Sequence, residues 1–380
     1  MTALPPLPSD VLPPGVRARR IDGINGLSMH VLEAGFEAAD RPMVLLLHGF
    51  PEIAYSWRKV MPALAEAGFY AIAPDQRGYG RTTGWDAAYD GDLGSFRLLN
   101  LVRDMMGLLA ALGRTSVTAV VGHDFGASAA SWCALVRPDV FRSLVLMSAP
   151  FGGPPALTPS ATPAADPVHA ALLALPRPRK HYQWYYSTRE ANADMHCAPQ
   201  GVHDFLRAYY HHKSADWKAN QPYPLKSWTA TELAKLPTYY VMDLASTMPE
   251  TVAAEMPSPA EIAANIWLPD RELSFYSAEY ARTGFQGGLQ WYRCGISGAF
   301  TAELETWSGR SIDVPSRFIS GKQDWGTYQR PGVFEAMRTR ACSRMFGCHL
   351  VDGAGHWVQQ EQAAEVTRLL IAFLRESGDR

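Results

Sequence analysis

The chain has 380 residues, with 35 basic and 37 acidic side chains and a net charge of −2. No block of like charge stands out, so neither nucleic acid nor an anionic membrane surface is expected as a partner. The five cysteines lack C-x-x-C spacing, which argues against a zinc site or a disulfide framework. With no apolar leader and no run of eighteen apolar residues, a soluble cytoplasmic protein is expected.

The length suits one large α/β core carrying an insertion, or two domains. Residues 16–35, "VRARRIDGINGLSMHVLEAG", read as an antiparallel hairpin at a sheet edge. Short apolar runs bounded by turn residues follow: "MVLLLHG" (43–49), "FYAIAPD" (69–75), "VTAVVGHD" (117–124) and "SLVLMSAP" (143–150). "PSRFISG" (315–321) and "GCHLVDG" (347–353) continue the series near the C-terminus. Unbroken apolar runs of this length are the mark of parallel strands buried on both faces. Between them, 56–67, 95–112 and 126–136 read as crossover helices, giving a mostly parallel, doubly wound sheet.

The alternation stops near residue 150 and resumes near 312. A connector, "PFGGPPALTPSATPAADP", leads into aromatic and histidine-rich stretches, "HYQWYYSTRE" and "FLRAYYHHKS", of helical periodicity without a convincing strand. Residues 1–151 and 306–380 are therefore expected to form the core, and 152–305 a helical cap over the carboxyl ends of the strands.

Four groups of residues stand at strand ends. In Gly122-His123-Asp124-Phe125-Gly126 a glycine-flanked carboxylate occupies a sharp strand-to-helix turn of the kind that usually holds a nucleophile. The plain alternative is that Asp124 only caps the following helix. "LLLHGFPE" ends a strand in a tight His-Gly loop; by the rule for such loops, the amides of Phe50 and Phe125 would form an oxyanion hole. Asp324 in "GKQDWG" and His356 in "GAGHWVQQ" complete the order nucleophile, acid, base. A lone histidine after a strand is usually unremarkable, but four matches in this order are not.

A carboxylate nucleophile points to a particular chemistry. Asp124 is already ionised and can displace a leaving group from saturated carbon, forming its own alkyl ester. His356, oriented by Asp324, would then activate water against that ester. Epoxides and alkyl halides are the fitting electrophiles, whereas attack on an ordinary ester would give an anhydride. An epoxide leaves as an alkoxide and needs an acid that still holds its proton at neutral pH, such as a tyrosine with pKa about 10. A halide needs only N–H donors.

Through "HGFPE", "APDQRGYGRT", "GHDFGA", "HYQWYY", "TGFQGGLQWYR", "GKQDW" and "GAGHW", nearly the whole chain resembles the soluble-type epoxide hydrolases of the α/β-hydrolase fold. The resemblance implies two cap tyrosines that protonate the epoxide oxygen, and these fall on Tyr182 and Tyr292. The plain alternative for Tyr182 is that, with the neighbouring Tyr185 and Tyr186, it belongs to an aromatic stripe packed in the core. Haloalkane dehalogenases share the nucleophile, but their pattern has tryptophan after it and asparagine after the His-Gly, where this chain has Phe125 and Phe50. Fluoroacetate-type dehalogenases have arginine after the nucleophile, which is also missing. Many epoxide hydrolases carry tryptophan at the position of Phe125, so this is a departure in the pocket wall.

The expected activity is hydrolysis of a hydrophobic epoxide to a vicinal diol, with water as the second substrate and neither metal nor organic cofactor. His48, Pro51, Trp184, Trp325 and Trp357, beside the motifs, are expected in the substrate pocket. A homodimer is compatible with this reading. The alternatives are a haloalkane dehalogenase and a catalytically silent ligand-binding protein of the same fold.

Overall fold

The computed structural model describes residues 4, 6–8, 10–38, 40–157 and 166–378. Part of the Pro/Ala-rich connector, 158–165, lies outside them. The expected hairpin is strands β1 (Val16–Ile24) and β2 (Leu27–Ala34), paired antiparallel. They join through Asn25-Gly26, whose φ angles of 50° and 84° suit a tight two-residue turn.

The apolar runs form β3 (Met43–Leu47), β4 (Tyr70–Pro74), β5 (Ala119–His123) and β6 (Leu144–Met147). After the insertion come β9 (Ser316–Gly321) and β10 (Met345–Val351). The eight-stranded sheet has the order β1-β2-β4-β3-β5-β6-β9-β10, parallel from β4 onward.

Alternate side chains of one strand enter different cores, which is why the runs are continuously apolar. Leu45 and Leu47 of β3 join Val120, Leu101 and Met105 on one face, under helices Leu98–Ala111 and Phe125–Val136. Val44 and Leu46 join Val121, Leu64 and Phe373 on the other, under Met61–Glu66 and Ala363–Gly378. Leu46 is fully buried, so truncating it to alanine should cost about 2–5 kcal/mol.

Between β6 and β9 the described residues form mainly short helices, with one departure from expectation. β7 (Arg179–His181) and β8 (Val241–Asp243) pair antiparallel as a separate two-stranded sheet. Three residues are too few to show an alternating pattern, and the partners lie some sixty positions apart. Helix 56–67 also divides, into a 3-10 turn at Ala54–Trp57 and the helix Met61–Glu66. No helix among the described residues is long and apolar enough to cross a membrane.

Candidate active site

β5 ends at His123 and its helix begins at Phe125, leaving Asp124 in the turn with φ 52° and ψ −120°. Crowding dictates the flanking glycines. A Cβ on Gly122 would lie 2.1 Å from the Gly126 carbonyl oxygen, and one on Gly126 would lie 2.2 Å from that of Leu47. The Asp124 side chain makes no capping bond to the helix. Its Oδ1 instead accepts the Phe50 amide at 3.2 Å, and its Oδ2 lies 3.4 Å from His356 Nε2.

His356 follows β10, and its Nδ1 lies 3.1 Å from Asp324 Oδ1. Asp324 is fixed in turn: Oδ1 accepts the Gly326 amide at 2.7 Å, and Oδ2 accepts the Ser320 hydroxyl at 3.1 Å. Four elements distant in sequence thus place Asp124, Asp324, His356 and the Phe50 amide together. Burial opposes ionisation of Asp124, but the neighbouring His356, with the charges of Lys213 and His123, holds its carboxyl well below the usual carboxylate range. Asp324 is likewise lowered against its burial, chiefly by His356.

Beneath this group lies a buried polar network that sequence reasoning did not single out. His123 Nε2 donates to the His356 carbonyl at 2.7 Å, and Nδ1 lies 2.6 Å from Glu52 Oε2. A carbonyl can only accept, and a lone pair facing a carboxylate would repel it, so both ring nitrogens carry protons. Burial works against this charge, but Glu52 raises the His123 pKa, and His123 lowers that of Glu52 in return. Gln359 and Gln360 donate to Glu52 at 2.9 and 2.8 Å. Glu52 stands in "HGFPE" and His123 in "GHDFG", so their motif positions were the available signal.

Asp124 opens onto a cavity of about 460 Å³ lined also by Phe125, Trp291, Tyr182 and Tyr292. Tyr182 starts the short helix Tyr182–Tyr186, and Tyr292 lies within Gln286–Ser297. Their ring centroids are 5.8 Å apart. The Tyr182 hydroxyl is within 3.3 Å of Gln329 Oε1 and 3.1 Å of Gln183 Nε2. Tyr185 donates to Asp194 and Tyr186 to Tyr209, and neither lines the cavity. Burial first, and then the Asp124 charge, push Tyr182 and Tyr292 well above the ordinary tyrosine pKa.

The remaining expected pocket residues lie elsewhere. His48 is buried, between the Gly49 carbonyl at 2.9 Å and the Gln76 amide at 3.1 Å. Pro51 offers its carbonyl to Tyr210. Trp184 packs on His169 and Trp325 on Tyr223. Trp357 is fully buried, 4.4 Å from the Tyr210 ring, and donates to the Tyr210 carbonyl. The Phe50 ring packs edge-on to Tyr292 at 5.6 Å without lining the cavity. Phe50, Trp325 and Trp357 pack between the core and residues 152–305; Phe96, Leu101, Trp291 and Ile296 form much of the apolar wall instead.

A family model for the alpha/beta hydrolase fold matches residues 42–362. Epoxide hydrolase A of Mycobacterium tuberculosis is 33% identical over 370 residues, covering 95% of this chain and 98% of that protein. The epoxide hydrolase of Caballeronia sordidicola is 34% identical over 354 residues, 92% of each. The solved epoxide hydrolase from an endophytic Streptomyces superposes with a TM-score of 0.75 at 31% identity, over 96% of both chains. The chain belongs to the α/β-hydrolase-fold family and, within it, to the epoxide hydrolases, which are hydrolases acting on ether bonds.

Proposed function

We propose that this protein opens a hydrophobic epoxide to a vicinal diol through an alkyl ester on Asp124, with 152–305 as its cap. The observation that carries this reading is the placement of a depressed carboxylate, Asp124, on the same cavity as two tyrosines held in their protonated form. In the first step Asp124 Oδ2 bonds to one oxirane carbon. The carbon–oxygen bond breaks, and the departing alkoxide takes a proton from Tyr182 or Tyr292.

In the second step His356 Nε2 takes a proton from water, and the hydroxide adds to Cγ of Asp124. The resulting charge develops on Oδ1, which already accepts the Phe50 amide; the Phe125 amide is the expected second donor. Collapse releases Oδ2 with the diol, which takes the proton held by His356, and leaves one water oxygen in the Asp124 carboxyl, whose own proton returns to the tyrosinate. No residue of this scheme requires a metal or organic cofactor. Five free cysteines fit a reducing compartment, and we place the protein in the cytoplasm.

The dehalogenase alternative needs N–H donors for a halide. Phe50 and Phe125 offer none from their side chains, and the cavity tryptophan Trp291 spends its indole N–H on the Arg77 carbonyl at 3.0 Å. Single turnover in ¹⁸O-water, followed by mass spectrometry of the Asp124 peptide, tests the scheme. Label should appear in the Asp124 carboxylate; label only in the diol would exclude the ester.

A further inference from the structure

From Glu361 we infer a positioning device for the base. This buried carboxyl group sets His356 by gripping the backbone on both sides of it and tying that loop to the insertion. The inference rests on the reading of His356 as the base of the second step.

Glu361 closes the short helix Val358–Glu361 and reaches back toward the loop. Its Oε2 accepts the Gly355 amide at 2.9 Å, and its Oε1 accepts the Trp357 amide at 2.9 Å, so the residues flanking His356 hang from one carboxyl group. The same Oε2 accepts the Ala215 amide at 2.8 Å, just beyond the C-terminus of helix Gly201–Lys213 in the insertion. The fit is close: a Cβ on Gly355 would lie 2.5 Å from the Ser214 carbonyl carbon. The amide of His356 itself donates to the Lys213 carbonyl at 2.9 Å. Among the described residues no other side chain bonds these three amides, so removing the carboxyl group leaves three buried donors without their acceptor.

The consequence is specific to one half of the reaction. Alkylation needs Asp124 and the tyrosines, none of which touches Glu361, whereas hydrolysis needs His356 Nε2 at the right place and angle. A shift of the base by about 1 Å can slow its step by about a hundredfold.

The test is rapid-quench single turnover of wild type, Glu361→Ala and Glu361→Gln with styrene oxide, following formation and decay of the Asp124 ester by mass spectrometry. Folding of each variant is checked by thermal melt. We expect ester formation within about threefold of wild type, decay slowed about tenfold to a hundredfold in Glu361→Ala, and an intermediate decay in Glu361→Gln, whose amide oxygen still accepts. Equal slowing of formation and decay would reduce Glu361 to a merely structural residue and overturn the inference. If Glu361→Ala does not fold, a wild-type decay rate in Glu361→Gln would do the same. Diol production by wild type with no ester would overturn the reading of the reaction itself, and the inference with it.

Discussion

The two carboxylate oxygens of Asp124 have different neighbours: Oδ2 lies 3.4 Å from His356 Nε2, while Oδ1 accepts the Phe50 amide at 3.2 Å. The two oxygens therefore have separate uses. In the proposed scheme Oδ2 forms the ester beside His356, and Oδ1 is where negative charge develops during its hydrolysis.

Replacing the base should separate the two steps. In His356→Gln, epoxide should still be consumed once per active site, and the Asp124 peptide should gain the mass of the substrate. Intact-protein mass spectrometry after brief mixing reads this directly, and an unmodified protein would assign His356 another role.

The tyrosines should act on ring opening. Tyr292→Phe and Tyr182→Phe should each slow ester formation by about tenfold to a thousandfold, as expected for loss of one general acid. Ester decay should change less. Unchanged formation in either variant would mark that tyrosine as wall.

The low pKa of Asp124 has a visible result. Because the carboxyl is held below the usual range, it stays ionised where an ordinary aspartate, pKa near 3.9, begins to take up protons. The rate of ester formation should therefore show no inflection at pH 4–5, measured in stopped flow wherever the fold persists. An inflection there would mean that Asp124 titrates normally.

Glu361 predicts the opposite pH dependence for stability. Burial, with the Asp216 charge adding, pushes its pKa up to about 8 despite three amide bonds. Between the ordinary 4.5 and about 8 the folded chain holds a proton on Glu361 that the unfolded chain has released, so the contribution of Glu361 to stability falls as pH rises through that window. Glu361→Gln cannot titrate, and its melting temperature should gain on wild type from pH 5 to pH 8. A constant difference would refute the shift.

The sheet was legible because its strands are buried on both faces: "MVLLLHG" has few other ways to fold. Asp124, Asp324 and His356, which the structure brings together, could be singled out because each sits in a glycine-marked turn at a strand end, where chain order carries information. The pocket wall was not, since it depends on how helices of the insertion pack. Trp357 beside His356 reads equally well as pocket wall or as an anchor, and only its contacts with Tyr210 decide. Tyr182, Tyr185 and Tyr186 fall within two turns of helix, so spacing alone could not choose the one that faces Asp124. β7 and β8 were too short to carry any pattern.

The pair of Glu52 and His123, sealed without exposure to solvent, constrains how such a protein can vary. Neutralising either residue alone strands the other's charge in the interior, at about 3–5 kcal/mol, while the His356 carbonyl loses or keeps its donor accordingly. Positions 52 and 123 are therefore tied in inheritance: a library or a lineage can cross that gap only by changing both at once, and screens of single substitutions should find both positions closed.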